Sequence, residues 1–154
     1  MNKAPAVLRF DIATAKNRMH AKLGAGSEID RLESYLGVEE HVDRMTAGLY
    51  GIERGLLVLT DQRLIFINYH IMSKPAGDFP LRNITSVAWR CDMMLGAVVI
   101  FTAGGKTEIK NVDKNDGKDL VDMVRARLGA PSPMSAVPTV PASLEQLTSI
   151  LAAM

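Results

Sequence analysis

The polar break Thr60-Asp61-Gln62-Arg63 holds the two residues of this chain whose types and spacing are best suited to chemistry. It separates two apolar runs in the sequence GLLVLTDQRLIFINY, residues 55–69. An acid and a base one residue apart could form a catalytic turn. They also fit a plain hairpin, because the carboxylate of Asp61 can accept hydrogen bonds from backbone amides of its own turn. The pattern favours the hairpin, with Arg63 lying across the strand end.

The other reactive residue types form no catalytic pattern in the sequence. His20, His41 and His70 lie far apart and lack the short spacing of metal-binding histidines. Cys91, the single cysteine, has no neighbouring histidine or lysine to activate it, so we expect a partly buried small apolar residue. The glycines of Ala103-Gly104-Gly105-Lys106 are too few for a phosphate-binding loop and predict a turn. The sequence therefore predicts no enzyme, no metal, no cofactor and no small-molecule substrate.

Length and composition favour one folded domain with short appendages. The chain has 154 residues, of which 47% are hydrophobic and 23% charged, as in an ordinary globular protein. A net charge of +1 and an aromatic content of 5% argue against nucleic-acid binding. No window reaches the roughly 18 apolar residues of a membrane span, and the N-terminus lacks the apolar core of a signal peptide. With one cysteine, these features predict a cytoplasmic protein and leave a peripheral membrane role open.

Two amphipathic segments define an N-terminal helical extension over residues 1–37. In residues 11–23 apolar side chains recur every three to four positions, which predicts a helix that ends at Gly24 and Gly26. Ser27 can cap a second helix over residues 27–36. The predicted apolar stripes consist of Ile12, Ala15, Met19 and Leu23 in the first helix and of Ile29, Leu32 and Leu36 in the second.

Short apolar runs between turn residues predict an antiparallel meander from Glu39 to Val112. The central hairpin, residues 55–69, is apolar on both faces of its two strands. One face therefore requires cover from the N-terminal helices or from another chain. Closely spaced strands with short connections favour a barrel or a sandwich. We predict seven strands, near residues 41–49, 54–60, 63–70, 77–80, 84–90, 96–102 and 106–112.

A third helix and a tail follow the strands. Asn115 or Asp116 is the expected cap of a helix that ends at Gly129. Residues 130–141 predict a proline-rich linker, and residues 142–154 a tail helix too short to be stable without a partner surface. The apolar face of the third helix comprises Leu120, Val121, Val124 and Leu128. The predicted oligomer contacts of the tail are Leu144, Leu147, Ile150 and Leu151.

Three motifs resemble bacterial pleckstrin-homology-like domains, the YokE-like group in particular. They are G-x-L-x-x-T-x-x-R-L-x-F at residues 55–66, P-L-x-x-I-x-S-V at residues 80–87 and G-x-x-x-I at residues 105–109. The resemblance implies a mostly β fold over residues 38–129. In such a fold, a seven-stranded bent antiparallel barrel is capped by the C-terminal helix. The tail resembles the first half of a SHOCT module. The pattern of the second half, G-x-I-T-x-x-E-F, is absent, so the resemblance implies a module that is either degenerate or truncated.

Two predicted loops carry large apolar side chains where a hairpin is normally polar. We predict that they contact a partner or a membrane, because exposed methionine suits adaptable binding and nearby basic residues can assist. The alternative is that these side chains fold back and fill the open end of the barrel. The residues concerned are Ile71, Met72 and Lys74 in the first loop and Arg90, Met93, Met94 and Leu95 in the second.

The function implied by these features is binding rather than catalysis. The resemblance suggests lipid binding, but the basic phosphoinositide motif of eukaryotic relatives is missing, since the corresponding LYGIERG has only Arg54 beside Glu53. We therefore predict a non-catalytic adaptor that binds a protein partner and forms homo-oligomers through its tail or its N-terminal helices. The alternative is a peripheral membrane-binding domain that uses the two apolar loops.

Overall fold

The structure, a computed structural model, describes residues 8–20, 26–68, 75–91 and 93–129. Within them the chain forms three α-helices and seven strands. The helices are α1 (Phe10–Arg18), α2 (Gly26–Leu32) and α3 (Lys114–Gly129). The strands are β1 (Val42–Tyr50), β2 (Glu53–Thr60), β3 (Arg63–Asn68), β4 (Gly77–Pro80), β5 (Ile84–Cys91), β6 (Leu95–Thr102) and β7 (Gly105–Asp113). Single 3-10 turns follow α2 at Glu33–Tyr35 and β4 at Leu81–Asn83.

The strands form one antiparallel sheet in the order β4-β3-β2-β1-β7-β6-β5, with β4 and β5 at its edges. β1 pairs with β2 along its length but with β7 only at Leu49 and Tyr50, so the sheet bends sharply between its two halves. α3 packs against β5 and also contacts β1 and β6, which closes the open side. The predicted seven-stranded bent sheet with a capping C-terminal helix is confirmed.

The central hairpin of β2 and β3 feeds two separate hydrophobic cores, because its alternate side chains are apolar on both faces. Leu57, Leu59, Leu64 and Phe66 enter the core between the sheet and α3. The opposite face lies under the N-terminal helices of the same chain. This second core joins Leu56, Val58, Ile65 and Ile67 to Ile12, Ala15, Met19, Ile29 and Leu32. Of the two predicted sources of cover, the N-terminal helices supply it.

The N-terminal helices are shorter than the sequence pattern predicts. α1 ends at Arg18, and Met19 is already extended, with φ −71° and ψ 136°. The next backbone amide, that of His20, donates to the carboxylate of Asp116 at 2.8 Å and 3.0 Å instead of continuing the helix. A tertiary contact with α3 therefore ends α1 before the glycines predicted to end it. Leu23 lies outside the described residues.

The predicted cap of α3 is wrong by two to three residues. Asp113 is the cap, since its Oδ1 accepts hydrogen bonds from the amides of Asn115 at 2.9 Å and Asp116 at 3.0 Å. β7 ends at Asp113 and α3 begins at Lys114, so no loop separates the two elements. The sequence pattern suggested a short loop there, which placed the start of the helix too late.

Two glycines allow α3 and the β5–β6 hairpin to approach the single tryptophan closely. A Cβ on Gly117 would lie 2.3 Å from the ring of Trp89 and 2.7 Å from Val112. A Cβ on Gly96 would lie 2.4 Å from the carbonyl oxygen of Arg90. These contacts fix the hairpin against the N-terminal end of α3.

Candidate functional site

The polar break 60–63 is a structural junction. Arg63 donates to Glu40 twice, from Nε to Oε2 at 2.8 Å and from Nη2 to Oε1 at 2.9 Å. Its remaining donors reach the carbonyl oxygen of Tyr35 at 2.8 Å and the carboxylate of Asp78 at 2.8 Å. One guanidinium thus connects β3 to β4, to the loop before β1 and to the turn after α2. These four hydrogen bonds give Arg63 a structural task, which favours the hairpin interpretation.

Asp61 does not shape its own turn in the way that the sequence predicts. Its Oδ1 accepts a hydrogen bond from the amide of His41 at 3.0 Å, and its own amide donates to the carbonyl oxygen of His41 at 2.9 Å. The hydroxyl of Thr60 binds the turn instead, accepting from the amides of Gln62 at 3.1 Å and Arg63 at 3.0 Å. Asp61 therefore ties the hairpin to the start of β1.

Two buried carboxylates have lowered pKa values because hydrogen bonds stabilise their charged forms. Burial by itself raises the pKa of Glu40, but hydrogen bonds from Arg63, Thr60 and the Gly37 amide outweigh it and lower the pKa. The hydrogen-bonded guanidinium of Arg9 holds the pKa of Asp11 well below its usual range. Both carboxylates hold the N-terminal segment on the barrel.

A histidine and two aspartates meet at the start of α3, which sequence spacing missed because the residues come from distant segments. Ligand atoms of His20, Asp113 and Asp116 lie within 4.8 Å of one another. The backbone already uses these carboxylates, since Asp113 caps α3 and Asp116 accepts from the His20 amide. The imidazole Nδ1 lies 2.9 Å from Asp116 Oδ1. The cluster is explained as a tether between α1 and α3.

The surface that stands out is the turn between β5 and β6. Met93 is 86% exposed and Met94 is 79% exposed, and Leu95 at the start of β6 is 45% exposed. Of the two predicted alternatives, the structure has these side chains outside the barrel rather than folded under it. Together with Arg90, Lys110 and Asn111 beside them, we call these residues the tip surface.

A bulge in β7 completes the tip surface. Asn111 has φ 54°, the left-handed conformation that asparagine tolerates better than most residues. The pairing of β6 with β7 shifts register between Gly96 and Val98, opposite this residue. A shallow groove lined by Met93, Met94, Leu95 and Asn111 results. A second groove, which shares Leu95 and Asn111 with it, is lined by Arg90, Cys91, Gly96, Ala97, Glu108 and Lys110.

The tip surface carries both signs of charge. Arg90 of β5 forms an ion pair with Glu108 of β7, across the intervening strand β6. Lys110 is exposed and forms no ion pair within the described parts of the chain. The turn also contains Asp92 in its sequence. The tip surface is therefore an apolar patch with a mixed-charge rim, which resembles the composition of protein-binding surfaces.

The structure contradicts the prediction for one reactive residue and does not describe two sets of predicted contact residues. Cys91 is exposed and lies in the second groove, so the prediction of a partly buried residue is wrong. Its place at the end of edge strand β5 explains the exposure. The other predicted loop contacts, Ile71, Met72 and Lys74, lie outside the described residues. The same is true of the tail contacts Leu144, Leu147, Ile150 and Leu151.

Other large apolar side chains are exposed singly. They are Phe10, Val38 and Ile52, each in a different segment. Isolated exposed hydrophobic residues are common on protein surfaces and need no partner to explain them. Among the described residues, no helix is long and apolar enough to cross a membrane.

The chain matches one family model and is similar to two solved structures. A family model described as a bacterial PH domain matches residues 36–126. No curated protein matches the chain. The chain is similar to the Vps36 N-terminal PH domain, at 15% identity and a TM-score of 0.45, over 60% of this chain and 82% of that one. It is also similar to a pleckstrin homology domain from Shewanella amazonensis SB2B, at 18% identity and a TM-score of 0.45, over 69% and 98% of the two chains.

Proposed function

Because the chain belongs to the bacterial PH domain family, we propose that it is a non-catalytic cytoplasmic adaptor that binds a protein partner, including a second copy of itself, through the tip surface. The observation that supports this proposal is the outward position of Met93 and Met94 at the turn of the β5–β6 hairpin. Burying each methionine would contribute roughly 1.5–3 kcal/mol before the costs of association.

The balance of charge at the tip surface favours a protein over an anionic membrane. Arg90 is neutralised by Glu108, which leaves Lys110 as the one unpaired base among the described residues of the tip surface. Apolar side chains within a mixed-charge rim suit a protein groove, and methionine adapts to grooves of different shape. The described N-terminal helices are already docked on their own barrel, so the buried residues of their apolar stripes are not available for self-association.

Site-specific photo-crosslinking tests this function in the cells that produce the protein. A photo-reactive amino acid at position 93 should give a discrete higher-mass product, and the additional change Met94→Asp should remove it. The matched control is the same amino acid at position 52, because Ile52 is 91% exposed but lies in the β1–β2 turn. Equal crosslinking from positions 93 and 52 would contradict a specific tip surface. Light scattering of the purified chain separates self-association from binding of another protein.

Peripheral membrane binding is the second candidate, because the exposed Met93–Leu95 segment has Lys110 beside it. Vesicles of phosphatidylglycerol and of phosphatidylcholine distinguish the two functions. Membrane binding would be supported if the chain sediments with either vesicle and the double variant Met93→Asp with Met94→Asp does not. No sedimentation would leave protein binding as the function of the tip surface.

A further inference from the structure

We infer that residues 142–154 of this chain dock on the tip surface of the same molecule and cover it until a partner displaces them. This inference concerns the regulation of the tip surface and rests on its proposed binding function. The tail has a pattern that suits an apolar surface, since Leu144, Leu147 and Ile150 recur on one side of a helix. A helix of this length is unstable alone and needs an apolar surface.

The connecting chain is long enough to bring the tail to the tip surface. Leu95 pairs with Asp113, directly before the first residue of α3, so the tip surface lies beside the N-terminal end of that helix. α3 has 16 residues and therefore a length of about 24 Å. The linker over residues 130–141 starts at the other end of α3 and spans roughly 37 Å in the extended polyproline conformation. It can run back along α3 and reach the groove.

The tail and the tip surface are chemically complementary. The groove is lined by Met93, Met94 and Leu95. Among the described residues, these three large apolar side chains are exposed next to one another, whereas the others are exposed singly. The tail carries one charged side chain, Glu145, and Lys110 at the rim has no ion-pair partner among the described residues. A tethered segment also has an effective concentration in the millimolar range, which favours even a weak contact within one molecule.

Oxidation of the tip methionines in the full-length protein tests this inference. Hydrogen peroxide converts an exposed methionine to its sulfoxide, and peptide mass spectrometry measures the rate at Met93 and Met94 separately. In the variant Leu147→Asp with Ile150→Asp, both rates should rise several-fold relative to the wild type. The matched control, Ser149→Asp with Ala152→Asp, adds the same charge on the side of the helix opposite the apolar stripe and should oxidise at the wild-type rate.

Equal rates at the tip methionines in the wild type and in the Leu147→Asp, Ile150→Asp variant would overturn the inference. Protection that grows with protein concentration, together with a mass above 16.8 kDa in light scattering, would also overturn it, since the tail would then cover a second copy. Met45, which is buried in β1, serves as the internal reference for intact folding. Crosslinking from position 93 in the Leu147→Asp, Ile150→Asp variant tests the proposed binding function independently, because no tail then covers the tip surface.

Discussion

Arg63 forms a fork with Glu40 in which two parallel hydrogen bonds of 2.8 Å and 2.9 Å join β3 to the segment before β1. The Glu40 carboxylate is almost completely buried and accepts two further hydrogen bonds, from the Thr60 hydroxyl at 2.7 Å and the Gly37 amide at 3.0 Å. A buried carboxylate with all its acceptor positions in use is a structural group, and the fork keeps the N-terminal segment on the barrel.

Replacing Arg63 should be costly, because it leaves the buried charge of Glu40 without its partner. We expect Arg63→Ala to lower the free energy of unfolding by about 3 kcal/mol in urea titrations. Arg63→Lys should lower the free energy of unfolding by less, because lysine keeps the positive charge. Some loss should remain, because lysine cannot form the fork. Lys118→Ala, which breaks the exposed pair with Asp122, is the control and should cost less than about 0.5 kcal/mol. Similar losses for Arg63→Ala and Lys118→Ala would show that the fork contributes little.

Stability should fall in acid because the pKa values of Asp11 and Glu40 are both lower in the folded protein than in the unfolded chain. Such groups stabilise the fold fully above their unfolded pKa values, which are 3.8 and 4.5, and lose this contribution as the pH falls through the folded values. Melting temperatures measured from pH 7 to pH 2 should therefore drop below about pH 4.5. Asp11→Asn should melt lower at pH 7 and show a shallower drop; an unchanged drop would contradict this assignment.

Local patterns in the sequence were sufficient to predict the strands and the capping helix. The alternation in residues 55–69 also indicated two buried faces, and the N-terminal stripes of Ile12 and Ile29 matched the second one. Contacts between distant segments were not predictable in this way. Neither the fork between Glu40 and Arg63 nor the tether between His20 and Asp116 has a local signature, since their partners lie 23 and 96 residues apart.

Gly117→Ala should destabilise the protein even though alanine favours helices. Alanine gains about 1 kcal/mol of helix propensity, but its Cβ would lie 2.3 Å from the Trp89 ring, and such overpacking costs typically 1–3 kcal/mol. We expect a net loss of about 1 kcal/mol. The unfolding transition can be followed by the fluorescence of this single tryptophan.

Gly129→Ala is the matched control for Gly117→Ala, because nothing lies within 4 Å of the Cβ it would add at the end of the same helix. It should leave stability unchanged or raise it slightly. Replacing Trp89 with leucine should reduce the penalty of Gly117→Ala, and a thermal melt followed by circular dichroism then provides the measurement. A penalty of the same size in both backgrounds would mean that Trp89 is not the obstacle.

Changing the tip methionines should separate binding from folding. Met93 and Met94 are mostly exposed, so the double change to aspartate should alter the free energy of unfolding by no more than about 0.5 kcal/mol. The same double change should abolish the higher mass in light scattering, and Met94→Asp alone should abolish the product crosslinked from position 93, because charge would have to be buried in an apolar contact. Ile52→Asp is the control, since it removes an equally exposed apolar side chain elsewhere. Retained binding in the Met93, Met94 variant, at unchanged stability, would rule out the tip surface as the place of contact.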